Sequence, residues 1–395
     1  MRRLLVVSYY SPPLGLSGVM RVTKLCKFLP ESGWRPLVLT VKPVAYYAYD
    51  PELVRDLNKA RVFRTESVDA NRLFNLLRPM KLRQRPALGR SGGRLPRLLN
   101  QLVLPDAKAG WLPFASVAGR HIIDRERPAA ILATSPPFTA LLVGVRLKTH
   151  ARVPLVSDFR DPWPAGFTQP PGWQRGALRW IRRYVVRHSD LVLAVNEGTA
   201  RAVGQEVHVL DNGFDPTDFE APAAELEGLS VVHVGNLYGN QAGLLAFAEA
   251  LRQVPDARLY LAGMIDSRAE AQLRRNDRVR MLGVLLHADA CSLMKGAAVL
   301  LYLGKPGQPV GIKLYEYLGA RRPILVWGEP DSEAADIVVR HRAGVASPAE
   351  PRQLPDVLRQ LTHSQCDFTT SSRDRFDRRV QARWLAGRLE ELVCS

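Results

Sequence analysis

Apolar and polar positions alternate along this chain on two scales. Near the start, "RLLVVSY" is an apolar run of strand length. The segment "GVMRVTKLCKFLPESGW" then places its apolar residues at helical spacing and ends near Gly33. "RPLVLTV" predicts the next strand. Farther on, "AAILATS", "VPLVSDF" and "LVLAVN" are again short apolar runs bounded by polar residues, with helical stretches such as 139–150 between them. A strand that is apolar without alternation is covered on both faces. The repeating strand–helix order therefore predicts a parallel sheet with helices on both sides.

The turn-rich, acidic stretch "LDNGFDPTDFEAPAAELEG" interrupts this pattern, which restarts with "LSVVHVGN". The strands "ARLYLAG", "VRMLG", "AVLLYLG" and "PILVWG" follow, with helices at 243–252 and in "ADACSLMKGA" and "GIKLYEYLGA". At 395 residues the chain is long enough for two cores. The expectation is an α/β protein of two doubly wound, Rossmann-like domains facing across a cleft. The N-terminal domain covers 1–210, a linker 211–228, the C-terminal domain 229–375 and a C-terminal helix 376–395. Open parallel sheets bind ligands outside the carboxyl ends of their strands. Polar residues just past strand ends are therefore the candidates for chemistry.

In "PVGIKLYEYLGARRPILV" a glycine, Gly311, stands at a helix start, where it lets a ligand approach the backbone. The first-turn amides and the helix dipole favour an anion there, and Lys313 adds charge. Glu316, one turn in, reaches a hydroxyl beside that anion. An anion with a neighbouring diol is a nucleotide. The alternative is a capping arrangement with Lys313 and Glu316 in solvent. In "SYYSPPLGLSGVMR", Gly15 and Gly18 either bring a helix close to the sheet or form a floor near phosphate or acceptor. In "VSDFRDPWP", Asp158, Arg160 and Asp161 crowd one strand end. Asp161 either fixes Arg160 in an ion pair or orients an acceptor hydroxyl while Arg160 meets a phosphate. The histidines show no metal spacing and no Asp-x-Asp ends a strand, so neither metal nor cofactor is expected.

Composition sharpens the picture in one respect. No apolar run reaches the ~18–20 residues of a membrane span, and "MRRLLVVSYYSPP" lacks the cleavage site of a signal peptide. Cys26, Cys291, Cys366 and Cys394 are scattered, which suits a reducing compartment. The formal charge of +17, however, calls for an acidic partner. Two stretches, 70–105 and 162–189, contain no acidic residue. They hold Arg78, Lys81, Arg83 and Arg85, and Arg175, Arg179, Arg182 and Arg183 beside Trp173 and Trp180. With Ala177, Leu178, Ile181 and Val185 as a packing face, these arginines predict docking to an anionic membrane surface. Nucleic acid is not expected, because no aromatic-interleaved recognition motif accompanies the charge.

The phrases "GIKLYEYLGARRPIL", "ILATSPPFTALLVGVRLKTHARVPLVSDFRDPW", "VLDNGFDPTDF" and "SYYSPPLGLSGVMRV" together resemble the bacterial group 1 glycosyltransferases of family 4 type, which have the GT-B fold. The resemblance covers nearly the whole chain. It implies transfer of a sugar from a nucleoside diphosphate sugar to a hydroxyl on a lipid-linked or glycan acceptor during cell-surface polysaccharide assembly. It also implies a retaining, metal-independent mechanism and a protein held peripherally at the cytoplasmic face of the membrane. On this match Asp161, Arg160 and Lys313 are catalytic. Gly15, Gly18, Gly235, Asn236, Gln308, Gly311, Ile312, Lys313 and Glu316 bind the donor. Two departures stand out. Gln308 occupies the place of a glutamate common in the family, and no basic residue follows the strand before Gly235. The competing enzyme reading is an epimerase or phosphorylase of the same architecture, although no setting for a lysine-linked pyridoxal phosphate is visible.

Overall fold

The computed structural model describes residues 1–395 apart from 16, 44–49, 51, 70–102, 164–171, 238–240, 304–309 and 364–370. Arg78, Lys81, Arg83, Arg85 and Gln308 thus lie outside the described residues. The chain divides into two compact units, Met1–Asn212 with Arg379–Ser395, and Gly213–Arg378.

The first unit carries strands β1 (Arg2–Val7), β2 (Trp34–Val41), β3 (Arg61–Thr65), β4 (Ala130–Ser135), β5 (Leu155–Phe159), β6 (Leu191–Ala194) and β7 (Val207–Val209). They form one parallel sheet in the order β3-β2-β1-β4-β5-β6-β7. Leu4, Leu5, Val6 and Val7 of β1 are all fully buried. Leu5 and Val7 join one apolar cluster, while Leu4 and Val6 join the one on the opposite face. That is the period-two signature of a strand covered on both sides.

The second unit repeats the scheme with β8 (Leu229–Val234), β9 (Ala257–Ala262), β10 (Val279–Gly283), β11 (Val299–Leu303), β12 (Ile324–Trp327) and β13 (Gly344–Ser347). Their order is β10-β9-β8-β11-β12-β13, again parallel. Both sheets therefore reverse their winding beside their first strand, between β1 and β4 and between β8 and β11. Connections leave such a point in opposite directions and open a crevice at the strand ends.

The stretch 211–228 does not run as a separate linker. From Gly213 it belongs to the second unit, where Phe214 bridges Asp377 and Asp215 caps a short turn of helix over Pro216–Phe219. The terminal helix Arg378–Cys394 belongs to the first unit. Its Ala382, Leu385, Ala386 and Leu389 complete the cluster that holds Leu4 and Val6.

Candidate functional site

In the second unit, β8 and β11 pair only at Val231–Val299 and Val232–Leu300. Beyond that the strands part, and their backbone groups need other partners. The Tyr317 hydroxyl accepts the Val234 N–H at 2.8 Å and lies 3.3 Å from the carbonyl oxygens of Val234 and Leu301. The His233 Nδ1 donates to the Leu301 oxygen at 2.9 Å. A carbonyl only accepts, so Nδ1 carries the proton and Nε2 presents a lone pair. Among the described residues that Nε2 is buried without a partner. Burial, helped by the charge of Lys313, pushes the imidazole down to about 4, so it is neutral.

A cavity of about 260 Å³ opens at this point, lined among others by His233, Gly235, Asn236, Tyr302, Gly311 and Lys313. Gly235 sits at φ 144°, where a side chain is strained. Its α-carbon faces Lys313 and His233: a Cβ there would stand 3.6 Å from Lys313 Cγ and 3.9 Å from His233 Nε2. The Asn236 Oδ1 accepts the Met264 N–H at 2.8 Å and fixes the neighbouring loop. Gly311 precedes the helix Ile312–Ala320 with φ −71°, which any residue adopts. A Cβ there would stand 3.7 Å from the Tyr302 hydroxyl, an ordinary contact, so neither conformation nor packing requires the glycine. Its N–H donates to the Tyr302 hydroxyl at 3.2 Å.

Lys313 and Glu316 are joined to each other, not separately solvated. Lys313 Nζ lies 2.7 Å from Glu316 Oε2, and the Glu316 side chain is only 7% exposed. His287, at the start of the helix His287–Gly296, is the electrostatic opposite of His233. Its Nε2 lies 3.0 Å from Asp218 Oδ2 and 3.7 Å from Cys291 Sγ. The bond to Asp218, then that to Cys291, raises it to about 11, against the burial that lowers it.

In the first unit, the ends of β4 and β5 carry a buried ion pair. Arg21, on the helix Ser17–Phe28, donates from Nε and Nη2 to the two oxygens of Asp158 at 3.1 and 2.8 Å. Its Nη1 donates to the Asp211 carbonyl at 2.8 Å, and Thr134 Oγ1 donates to Asp158 at 2.9 Å. Burial disfavours the Asp158 carboxylate, but Arg21 outweighs it and holds the group below the usual carboxylate range. Arg160 instead donates to the Ser135 and Pro136 carbonyls at 2.9 and 2.7 Å. Its Nη1 is buried without a partner and faces Gly18, where a Cβ would stand 3.2 Å away. Among the described residues no ion pair joins Arg160 to Asp161. Asp161 is half-buried, and burial raises it above the usual range while Arg160 pulls it back.

Residues 18–213 match the family model described as Glycosyl transferase 4-like domain, and residues 228–364 match the one described as Glycosyl transferases group 1. The chain belongs to the group 1 glycosyltransferases. The same architecture recurs in HepE from Anabaena, solved in complex with UDP, with a TM-score of 0.63 and 18% identity over 99% of this chain and 100% of that one. It recurs in sucrose-phosphate synthase from Thermosynechococcus elongatus, with a TM-score of 0.63 and 15% identity over the full length of both. A glycosyltransferase from Rickettsia africae aligns with a TM-score of 0.64 and 12% identity over 99% of this chain and 98% of that one. No curated protein matches the chain. The fold is thus GT-B, built from two Rossmann-like sheets.

In this glycosyltransferase Gly235, Asn236, Gly311 and Lys313 share one cavity, and Glu316 is tied to it through Lys313. Ile312 follows Gly311 in the first turn of the helix. Gly15, Gly18, Arg160 and Asp161 belong to the first unit. Sequence reasoning missed His233, Tyr302 and Tyr317. His233 had a signal: it is a polar residue inside the apolar run "VVHVG", just before the glycine that ends it.

The helix Gly172–Arg187 has a solvent face of two adjacent stripes. Arg175, Arg179 and Arg183 form one, and Trp173, Trp180 and Tyr184 the other, with the two tryptophans 60% and 66% exposed. Leu178 and Val185 are buried on the opposite side. Arg182 departs from the expected docking set. It turns inward and donates to the carbonyls of Trp163 and Ala202.

Proposed function

We propose that this glycosyltransferase moves a sugar from a nucleoside diphosphate sugar, bound by the second unit, to a hydroxyl of a lipid-linked acceptor during cell-surface glycan assembly. The observation that carries the reading is the cavity at the β8/β11 reversal. There Lys313 and Gly311, at the start of the helix Ile312–Ala320, line one space with Gly235 and Asn236. A helix start and a lysine side by side favour an anion. In the proposed reaction the two stabilise the departing diphosphate. A donor phosphate oxygen takes the acceptor proton, so configuration is retained and neither a metal nor a dedicated protein base is needed. HepE, solved with UDP and with UDP-glucose, supports a nucleotide-sugar donor. Thermal stabilisation of the full chain by UDP-, GDP- or ADP-glucose, but not by single-stranded DNA, is the expected result. No stabilisation by any nucleotide sugar sinks the reading.

Glu316 is assigned to the ribose. Glu316→Ala is expected to weaken donor binding by about 1.5–3 kcal/mol, the worth of a hydrogen bond to a charged group. Calorimetry on protein with an unchanged melting temperature checks this. Undiminished affinity removes the ribose role.

The acceptor's lipid linkage is proposed from the exposed face of the helix Gly172–Arg187. Tryptophans beside arginines suit an interface with acyl chains below and anionic headgroups above. Binding to anionic vesicles is expected to exceed binding to neutral ones and to fade with added salt. Removing two charges in Arg175→Gln/Arg179→Gln is expected to weaken it about thirtyfold, at ~1 kcal/mol per basic residue. Equal sedimentation with neutral vesicles argues against the charge-led docking.

A further inference from the structure

We propose that His233 Nε2 accepts a hydrogen bond from a hydroxyl of the bound nucleotide sugar, so that this end of the cavity selects a hydroxyl and excludes phosphate. The inference rests on the donor-binding reading and adds a residue that reads the ligand's chemistry.

Three observations carry it. First, the tautomer is fixed by structure: Nδ1 is spent on the Leu301 carbonyl, so the atom at the cavity is a bare lone pair. Second, that atom has no partner among the described residues although His233 is buried, its relative exposure being 8%. Third, the polar groups around it are otherwise engaged. Lys313 Nζ goes to Glu316, the Tyr317 hydroxyl serves Val234 and Leu301, and the Tyr302 hydroxyl takes the Gly311 N–H. Gly235 adds no side chain in front of the imidazole.

A lone pair is satisfied only by a group that carries hydrogen. Diphosphate oxygens carry none at neutral pH, and an acceptor facing an acceptor is repulsive. The diphosphate is therefore turned toward Lys313 and the helix start. The hydroxyl that meets His233 belongs either to the ribose or to the transferred sugar. The absence of a basic residue after β8 fits this polarity: the strand end presents His233, Gly235 and the Asn236 carboxamide, and no cation.

Two substitutions separate the cavity-facing nitrogen from the structural one. In His233→Asn the side-chain amide still donates toward Leu301, but the cavity acceptor is gone. In His233→Gln a carbonyl oxygen reaches the place of Nε2. Calorimetry with UDP and with UDP-glucose on the full chain is expected to show about tenfold weaker binding for His233→Asn and near-normal binding for His233→Gln. A loss with both ligands assigns the ribose hydroxyl, and a loss with UDP-glucose alone assigns the sugar. Wild-type affinity for UDP-glucose, whose phosphates have no proton to lose in this range, is expected to stay flat between pH 6 and 9 with no proton uptake, since the imidazole stays neutral. Normal binding by His233→Asn overturns the inference, leaving Nε2 to a buried water. Proton uptake that vanishes in His233→Asn also overturns it, because an imidazolium would then be donating to phosphate. Wild-type protein that binds neither ligand overturns the donor-binding reading and this inference with it.

Discussion

Asp158→Asn is expected to cost the first unit about 3–5 kcal/mol, the usual result of stranding one member of a buried ion pair. Arg21 is 1% exposed and spends its Nε and Nη2 on Asp158. Without the carboxylate its charge stays in the core facing only neutral acceptors, the remaining amide oxygen and the Asp211 carbonyl. The pair also ties the helix after β1 to β4, through Thr134, and to β5. A melting curve reads the loss directly. Replacing both partners, as Arg21→Met/Asp158→Leu, is expected to recover part of it, because no bare charge remains. A melting temperature unchanged by Asp158→Asn removes the pair from the stability account. The pH dependence has a definite sign. The folded value of Asp158 is below its unfolded value, so its stabilisation is present above the ordinary carboxylate range. It is lost as pH falls through the lowered folded value.

Asp161→Asn is expected to leave the fold and donor affinity intact and to lower single-turnover rate about 100-fold, the penalty of a misplaced acceptor. The stability half of this follows from the structure. Asp161 makes no ion pair with Arg160 among the described residues, and Arg160 is held by the Ser135 and Pro136 carbonyls whether or not Asp161 is charged. The rate half is the proposed role. Burial raises Asp161 above the usual range, so the ionised form that accepts from a hydroxyl grows as pH rises through that value. The acid limb of the wild-type pH–rate profile should therefore disappear in the asparagine variant. A normal rate in a stable Asp161→Asn protein moves the acceptor site toward Gly15–Arg21.

Most strands that could be read in advance were buried on both faces, such as β1 and β8, whose apolar runs need no partner to be recognised; β10, a largely exposed edge strand, was read from "VRMLG" as well. The three that were not read, β3, β7 and β13, are sheet-edge strands. "RVFRT", "VHV" and "GVAS" have mostly half-buried residues, so selection for an apolar run is weak there. The Gly311–Lys313 helix start was visible because glycine, lysine and glutamate stand out in an apolar helix. That Lys313 and Glu316 bond to each other depends on burial, which spacing does not report. Arg182 shows the same limit. Its place in a run of arginines marks it as surface charge, and only the carbonyls of Trp163 and Ala202, brought close by the fold, draw it inward. His233 could have been found by asking why a polar residue interrupts a strand at its carboxyl end.

The placement of the terminal helix sets the order in which this chain matures on the ribosome. Residues 213–378 are synthesised before Ala382, Leu385, Ala386 and Leu389 exist to cover the face formed by Leu4, Val6 and their neighbours. At ~5–20 residues per second that interval is on the order of ten to thirty seconds. The second unit is thus synthesised whole before the first has all of its parts. Until that helix is made, the apolar face around Leu4 and Val6 lacks the cover that Ala382, Leu385, Ala386 and Leu389 supply.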